Sequence, residues 1–413
     1  MYNNLANDLI KIFNEHSYLS IVLDNSLKTQ NLNEHDKKVY TKVLYGVVER
    51  KLLIDYYLQP FIKGVRVKPF IKNILRIGCY VIDYMNIKDY FIVNELVQIV
   101  KKKDYKSSMF VNAVLRNYQR TPKVDLSKLS PVEQISLKIS LPQDITSLLY
   151  KQYKESLESF FIPKTIFNTY RINTLKTTIE NVSDILTKDN YDFKIISEAI
   201  IIKESLLNHE LFKNGLIIAQ DLSSIKVGNV VNPHPYSSVL DTCSAPGGKS
   251  LHMASIMNNT GSITSCDIYD QKLDKILENA KKLGVTNITT LNASAVSYDY
   301  GKLFDYVLCD VPCSGLGVIN HKPDLKYNIT LKDITDINNL QKQIIRHAAS
   351  YVKDGGILVY STCTINKFEN EWLIKDFLNE FKNFKKLEEH IILPTSEEDG
   401  FYICKLQKGE RNE

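Results

Sequence analysis

A chain of 413 residues is long for one domain and sufficient for two or three, each with its own core. Hydrophobic residues at 44% and charged residues at 24% are ordinary globular values. No apolar run approaches the roughly 20 residues that a membrane-spanning helix needs, so a soluble, cytoplasmic protein with no membrane partner is expected. A net charge of +5 permits a nucleic-acid partner without requiring one, and the placement of charge says more than its sum.

The start, MYNNLANDLIKIFNEH, is amphipathic and lacks the basic, apolar and small-residue succession of a secretory signal. Residues 1 to about 120 read as helical, with apolar positions every three or four residues in VYTKVLYGVVERKLLIDYYLQPFI and NELVQIVKKKDYKSSMFVNAVLRNY. Basic residues gather at Arg50, Lys51, Lys63, Arg66, Lys68, Lys72 and Arg76, and again at Lys101, Lys102, Lys103 and Lys106. Such runs are either solvated helix faces or phosphate-neutralising surfaces. The segment TPKVDLSKLSPVEQ reads as a linker, ending a first domain near residue 128. A small α+β domain is expected over 129–220, with TYRINTLK and DFKIISEAIIIK as its strands.

From residue 221 to the end, β-branched strands alternate with helices: SSVLDTCS, GSITSCDI, NITTLNAS, FDYVLCDVP and GGILVYSTCT. This is the pattern of an α/β doubly wound, Rossmann-like sheet. The whole is therefore read as multidomain: all-α, then α+β, then α/β. Seven cysteines are scattered as Cys79, Cys243, Cys266, Cys309, Cys313, Cys363 and Cys404, with no CxxC pair and no zinc spacing, so reduced thiols and no metal are expected.

The strand Val239-Leu240-Asp241 breaks into Thr242-Cys243-Ser244-Ala245-Pro246-Gly247-Gly248-Lys249 and then a helix, and glycines there can let a cofactor approach the backbone. The next strand ends in Asp267, placed to take a ribose hydroxyl pair. Neither GxGxxG nor GxxxxGKS is present, which turns the reading from a dinucleotide or nucleoside triphosphate toward S-adenosylmethionine, a nucleoside cofactor with no phosphate to cradle. Downstream, Asp310-Val311-Pro312-Cys313-Ser314-Gly315 and Tyr360-Ser361-Thr362-Cys363-Thr364 each follow a strand. Ligands of doubly wound sheets bind beyond the carboxyl ends of the strands, so Gly247, Asp267, Asp310, Cys313 and Cys363 should converge on one cleft. The remaining thiols, Cys79, Cys266, Cys309 and Cys404, read as small buried hydrophobes.

Together, Cys243–Lys249, Asp310–Gly315 and Ser361-Thr362-Cys363 resemble, in order, the cofactor, Pro-Cys and Thr-Cys motifs of the Nol1/Nop2/Sun family of RNA 5-methylcytosine methyltransferases. The resemblance runs on through Gln220–Ser224, His321-Lys322-Pro323-Asp324 and Asp399–Tyr402, while Phe110–Arg116 is similar to the NusB-like amino-terminal domain of its bacterial 16S ribosomal RNA methyltransferase B branch. It implies a NusB-like RNA-binding domain, a class I methyltransferase domain, and ribosomal RNA as partner before the subunit is fully assembled. It also implies that Cys363 attacks the base and Cys313 assists release, although DNA cytosine methyltransferases attack from their Pro-Cys cysteine. Asp310 is expected both beside the cofactor and on the base. Where the family carries an acid near the adenine, this chain reads Asn292-Ala293-Ser294-Ala295, so Ser294 stands in with a neutral hydroxyl.

The chemistry asks for such residues independently. Carbon 5 of cytosine is a poor nucleophile until a thiolate adds at carbon 6. Two other readings remain open at this point: the same reaction on another RNA such as transfer RNA, and a non-catalytic RNA-binding or antitermination factor.

Overall fold

The computed structural model describes residues 1–161 and 167–410; residues 162–166 and 411–413, within the expected second and third parts, lie outside them. Apolar spacing over the first 161 positions becomes helices α1 (Tyr2–Asn14), α2 (Leu19–Thr29), α3 (Glu34–Glu49), α4 (Lys51–Ile62), α5 (Pro69–Tyr84), α6 (Asp89–Lys101), α7 (Tyr105–Arg120), α8 (Pro131–Lys138), α9 (Gln143–Tyr153) and α10 (Ser156–Phe161). At their centre is α5, an amphipathic helix whose apolar residues Ile74, Leu75, Ile77, Cys79 and Val81 are all fully buried. Its Gly78 allows α7 to approach: a Cβ there would lie 2.7 Å from the Leu115 side chain.

The first basic run is divided by this packing. Arg76 is buried and donates to both Asp55 carboxylate oxygens at 2.6–2.7 Å, and the ammonium groups of Lys51 and Lys72 lie 3.7 Å from the same carboxylate. Arg50 pairs with Glu49 and stacks on Tyr84. Lys63, Arg66 and Lys68 remain exposed, as do Lys101, Lys102, Lys103 and Lys106.

Two compact units result: Met1–Pro163 with His321–Thr330, and Lys164–Asn320 with Leu331–Glu413. The break expected near residue 128 thus falls inside the helical unit. Ser130 and Glu133 form a capping box that starts α8, and α8 packs on α4, so the polar stretch before it joins helices of one compact unit. The segment 321–330, which sequence similarity groups with the catalytic part, is likewise held among the helices. Asp324 accepts from the Leu19 backbone N–H at 3.2 Å, and the buried Lys326 ammonium donates to the carbonyls of Ile139 (2.8 Å) and Glu49 (3.3 Å). The Tyr327 hydroxyl donates to the Val48 carbonyl at 2.7 Å.

The second unit opens with β1 (Asn168–Ile172), α11 (Ile179–Lys188), β2 (Phe193–Ile196), β3 (Ala199–Ile202), α12 (Glu210–Lys213) and β4 (Ile217–Ala219). Their antiparallel sheet has the order β2-β3-β1-β4 and buries Tyr170, Ile172, Ile200 and Ile202 against α11 residues Val182 and Leu186. There follow α13 (Leu222–Val231), β5 (Ser238–Asp241), α14 (Gly248–Ile256), β6 (Ser262–Asp267), α15 (Asp270–Leu283), β7 (Ile288–Asn292), β8 (Phe304–Asp310), α16 (Leu331–Ala349), β9 (Val352–Thr362), α17 (Glu371–Glu380), β10 (Phe384–Ile392) and β11 (Phe401–Lys408). The sheet order is β10-β11-β9-β8-β5-β6-β7, parallel from β9 to β7, with β11 and β10 added antiparallel. This is the expected Rossmann-like arrangement, closed at one edge by a hairpin.

Candidate active site

The strand order reverses between β5 and β8, and beyond the carboxyl ends of these strands lies a cleft of about 410 Å³. Cys243 and Ala245 line it from the turn after β5, Asp267 from the end of β6, and Ser294 from the loop after β7. Asp310 and Cys313 line it from the end of β8, and Cys363 from the loop after β9. Ser244, Pro246, Gly247, Gly248 and Lys249 are not among the lining residues.

The motif residues outside the wall shape the turn. The Ser244 N–H and hydroxyl both donate to the Cys266 carbonyl, at 2.8 and 3.0 Å, stitching the turn to the end of β6. Gly247 caps α14 with φ +98°, a left-handed conformation that favours glycine, and a Cβ there would lie 3.2 Å from Ile276 of α15. The glycine is thus demanded by turn geometry and helix packing. Lys249 reaches back from the first turn of α14 to place its ammonium 2.7 Å from Asp310 Oδ2, while Asp310 Oδ1 accepts from the Ser361 hydroxyl at 2.8 Å. Burial disfavours the Lys249 charge, but the Asp310 carboxylate more than compensates and holds its pKa above the ordinary lysine value.

The two motif cysteines meet although 50 residues separate them. Their sulfurs are 2.9 Å apart, and the Cys363 backbone N–H points at Cys313 Sγ at 3.3 Å. Both are half-buried free thiols, whereas Cys79, Cys266, Cys309 and Cys404 are fully buried. The hydrogen bond with Cys363, followed by burial, pushes the Cys313 thiol well above its usual pKa. Among the described residues no group of three or more His, Cys, Asp or Glu side chains is placed to hold a metal ion, and no helix is long and apolar enough to cross a membrane.

Further residues complete the cleft. Ile268, Tyr269 and Lys272 follow Asp267, and their position after a strand-end acid is a usable signal. Leu340 and Ile344 of α16 also line it, but their helical spacing does not tell a cleft wall from a core stripe. Glu369 lies behind Cys313 and is one acid in the run KFENEW, with nothing in the sequence to single it out.

Residues 229–407 match the family model described as 16S rRNA methyltransferase RsmB/F, and residues 4–120 match the NusB family. The chain is 34% identical to the "Probable ribosomal RNA small subunit methyltransferase B" of Bacillus subtilis, over 97% of each chain. It is 32% identical to the human 28S rRNA (cytosine(4447)-C(5))-methyltransferase over 62% of this chain and 36% of that one. In fold it resembles the crystal structure of PH0851, at a TM-score of 0.82 and 23% identity over 99% of both chains. A match at one-third identity over nearly the whole of two chains is a family relationship: the chain belongs to the RsmB/F methyltransferases, S-adenosylmethionine-dependent enzymes of ribosomal RNA with a NusB-family helical domain.

Proposed function

We propose that this chain methylates carbon 5 of a cytosine in 16S ribosomal RNA through a covalent cysteine adduct, before assembly of the small subunit closes over the base. The observation that carries this reading is the pair of thiols, 2.9 Å apart in one cleft with Asp310, whose carboxylate Lys249 pairs with from outside the wall. Supporting it are the carbon 5 specificity in the human relative's name and the small-subunit specificity in the bacterial one's.

The cleft fits an adenosyl group by its donor set: a carboxylate at the end of β6, a hydroxyl at Ser294 and apolar walls from Ile268, Ala295 and Val296. Asp267 would accept from the ribose hydroxyls, Ser294 would hydrogen-bond the adenine, and the turn from Cys243 to Lys249 would hold the amino-acid end. S-adenosylmethionine, when bound, supplies an electrophilic methyl group on a sulfonium centre.

Cys363, as thiolate, forms a bond to carbon 6 of the extruded cytosine, and the electrons of the 5,6 double bond give carbon 5 enamine character. Asp310, fixed by Lys249 and Ser361, hydrogen-bonds the protonated pyrimidine nitrogen that takes up this charge. After methylation the carbon 5 proton passes to a water base, the double bond reforms, and the carbon–sulfur bond breaks to return the thiolate of Cys363, with the Cys313 thiol donating a hydrogen bond to the departing sulfur and so assisting release. The exposed lysines of the helical unit supply phosphate contacts.

Bisulfite sequencing of ribosomal and transfer RNA from cells lacking the chain tests the substrate. The expected result is loss of protection at one 16S cytosine, restored by wild type and not by Cys363→Ala. Loss of a transfer RNA mark with 16S unchanged would move the substrate, and no lost mark in any RNA would remove the reaction.

A further inference from the structure

Glu369, in the connection between β9 and α17, is a fully buried carboxylate outside the cleft wall. Its Oε2 accepts from the Ser314 backbone N–H at 2.8 Å and Gln341 Nε2 at 3.1 Å. Its Oε1 accepts from the Ser314 hydroxyl at 2.6 Å and Asn366 Nδ2 at 3.0 Å. Burial pushes its carboxyl above the usual pKa, against the pull of these donors. All four donors are neutral groups, and a carboxylate is the only side chain of this size that offers acceptors alone on both atoms; glutamine would turn an NH2 toward two of them. Burying an acid this way is costly compared with an apolar filling.

Three of the four donors, two from Ser314 and one from Asn366, belong to the loops that carry the thiols, and the fourth, Gln341, comes from α16. Ser314 follows Cys313, and its hydroxyl also lies 2.8 Å from that of Thr364, which follows Cys363. Gln341 donates as well to the carbonyl of Pro312, on the other side of Cys313. The Tyr360 hydroxyl secures Glu369 in turn by donating to its backbone carbonyl at 2.7 Å.

We propose that Glu369 is a positioning residue for the reaction: its carboxylate ties the Cys313 loop to the Cys363 loop and sets the separation of the two thiols. This rests on the reading that both thiols take part in the reaction. The charge bears on the same thiol, since Glu369 is among the groups that raise the Cys313 pKa, after its hydrogen bond with Cys363 and burial.

Crosslinking of the full chain by diamide tests this without RNA or cofactor. Diamide takes up the two thiol hydrogens and leaves a bond between the sulfurs, and peptide mapping of Cys313 to Cys363 gives the rate. In Glu369→Gln the crosslink should form roughly ten- to a hundredfold more slowly, the upper figure being the scale of an ångström-sized misplacement in a preorganised pair. Turnover should fall by a comparable factor while affinity for S-adenosylmethionine stays at wild type. Should Glu369→Gln fail to fold, Ser314→Ala removes the bridging hydroxyl and leaves the carboxylate three donors, and it should slow the crosslink by a smaller factor. Crosslinking at the wild-type rate in the folded variants, whatever their melting temperature, would overturn the proposal, as would a wild-type protein that does not crosslink. Failure of the covalent reading would appear elsewhere, as wild-type enzyme that methylates without any protein–RNA adduct, and would leave the crosslinking rates readable.

Discussion

Asp267 ends β6 at the cleft, and one of its oxygens already accepts from the Tyr269 backbone N–H at 3.1 Å, which fixes the carboxylate at the strand end. A fixed acceptor of this kind loses little entropy on binding. Asp267→Ala should therefore weaken S-adenosylmethionine binding by about 1–3 kcal/mol through lost charge-assisted hydrogen bonds. Calorimetric titration reads this directly, and an unchanged affinity would remove Asp267 from the cofactor site. At this scale the sequence was informative for residues at strand ends: topology alone carries Asp267, Asp310, Cys313 and Cys363 to one edge of the sheet. It was silent on partners. Lys249 finds Asp310 across 61 residues and Ser314 finds Glu369 across 55, and no local pattern encodes either pair.

Helices α13 and α14 meet where a Cβ on Gly228 would lie 2.2 Å from the His252 ring, so glycine is required for the approach. His252 is buried there with its Nε2 3.0 Å from Glu198, and burial together with the charge of Arg171 lowers its pKa to about 4. Since the unfolded value is about 6.5, the unfolded chain binds the extra proton between the two values. The stability contribution is complete above about pH 6.5 and is lost as pH falls through about 4, a difference on the order of 3 kcal/mol. Denaturant unfolding at about pH 7 and about pH 4.5 should show this loss, and His252→Gln should show a shallower one. Equal losses in the two proteins would assign the acid sensitivity elsewhere. Among elements, the parallel strands announce themselves through β-branched runs. The hairpin β10–β11 does not, because β10 is an edge strand carrying Lys385, Lys386, Glu388, Glu389 and His390, charges that protect an edge and disguise a strand. The start of α8 was hidden similarly, within a proline-containing polar stretch that serves as its cap.

For the whole molecule, periodicity separates the helical residues 1–120 from the alternating strands after 221, but the two compact units differ from the three parts read at 128 and 220, and residues 321–330 join the first unit. Nothing in HKPDLKY marks a segment whose Lys326 will be buried under helix carbonyls, with its pKa lowered to about 8 by burial. Charge placement is clearer. Lys101, Lys102 and Lys103 are exposed at the end of α6, and the Lys103 ammonium lies 3.9 Å over the ring of Phe70, which restrains one of the three. Their joint replacement by alanine should weaken RNA binding and reduce the slope of log affinity against log salt by up to about 2–3, at roughly 0.7–0.9 per lost phosphate contact. A slope equal to wild type, measured by filter binding across a salt series, would make the run a solvated face.

The central claim is that Cys363 attacks carbon 6 and Cys313 completes release. A denaturing gel of the cysteine variants incubated with RNA and S-adenosylmethionine tests it most directly. In Cys313→Ala the nucleophile is intact and release is impaired, so a slow-migrating protein–RNA band should accumulate, depend on both substrates, and vanish when Cys363→Ala is added. The contradicting result is the reverse: the band in Cys363→Ala and its absence from Cys313→Ala, which would give the attack to Cys313.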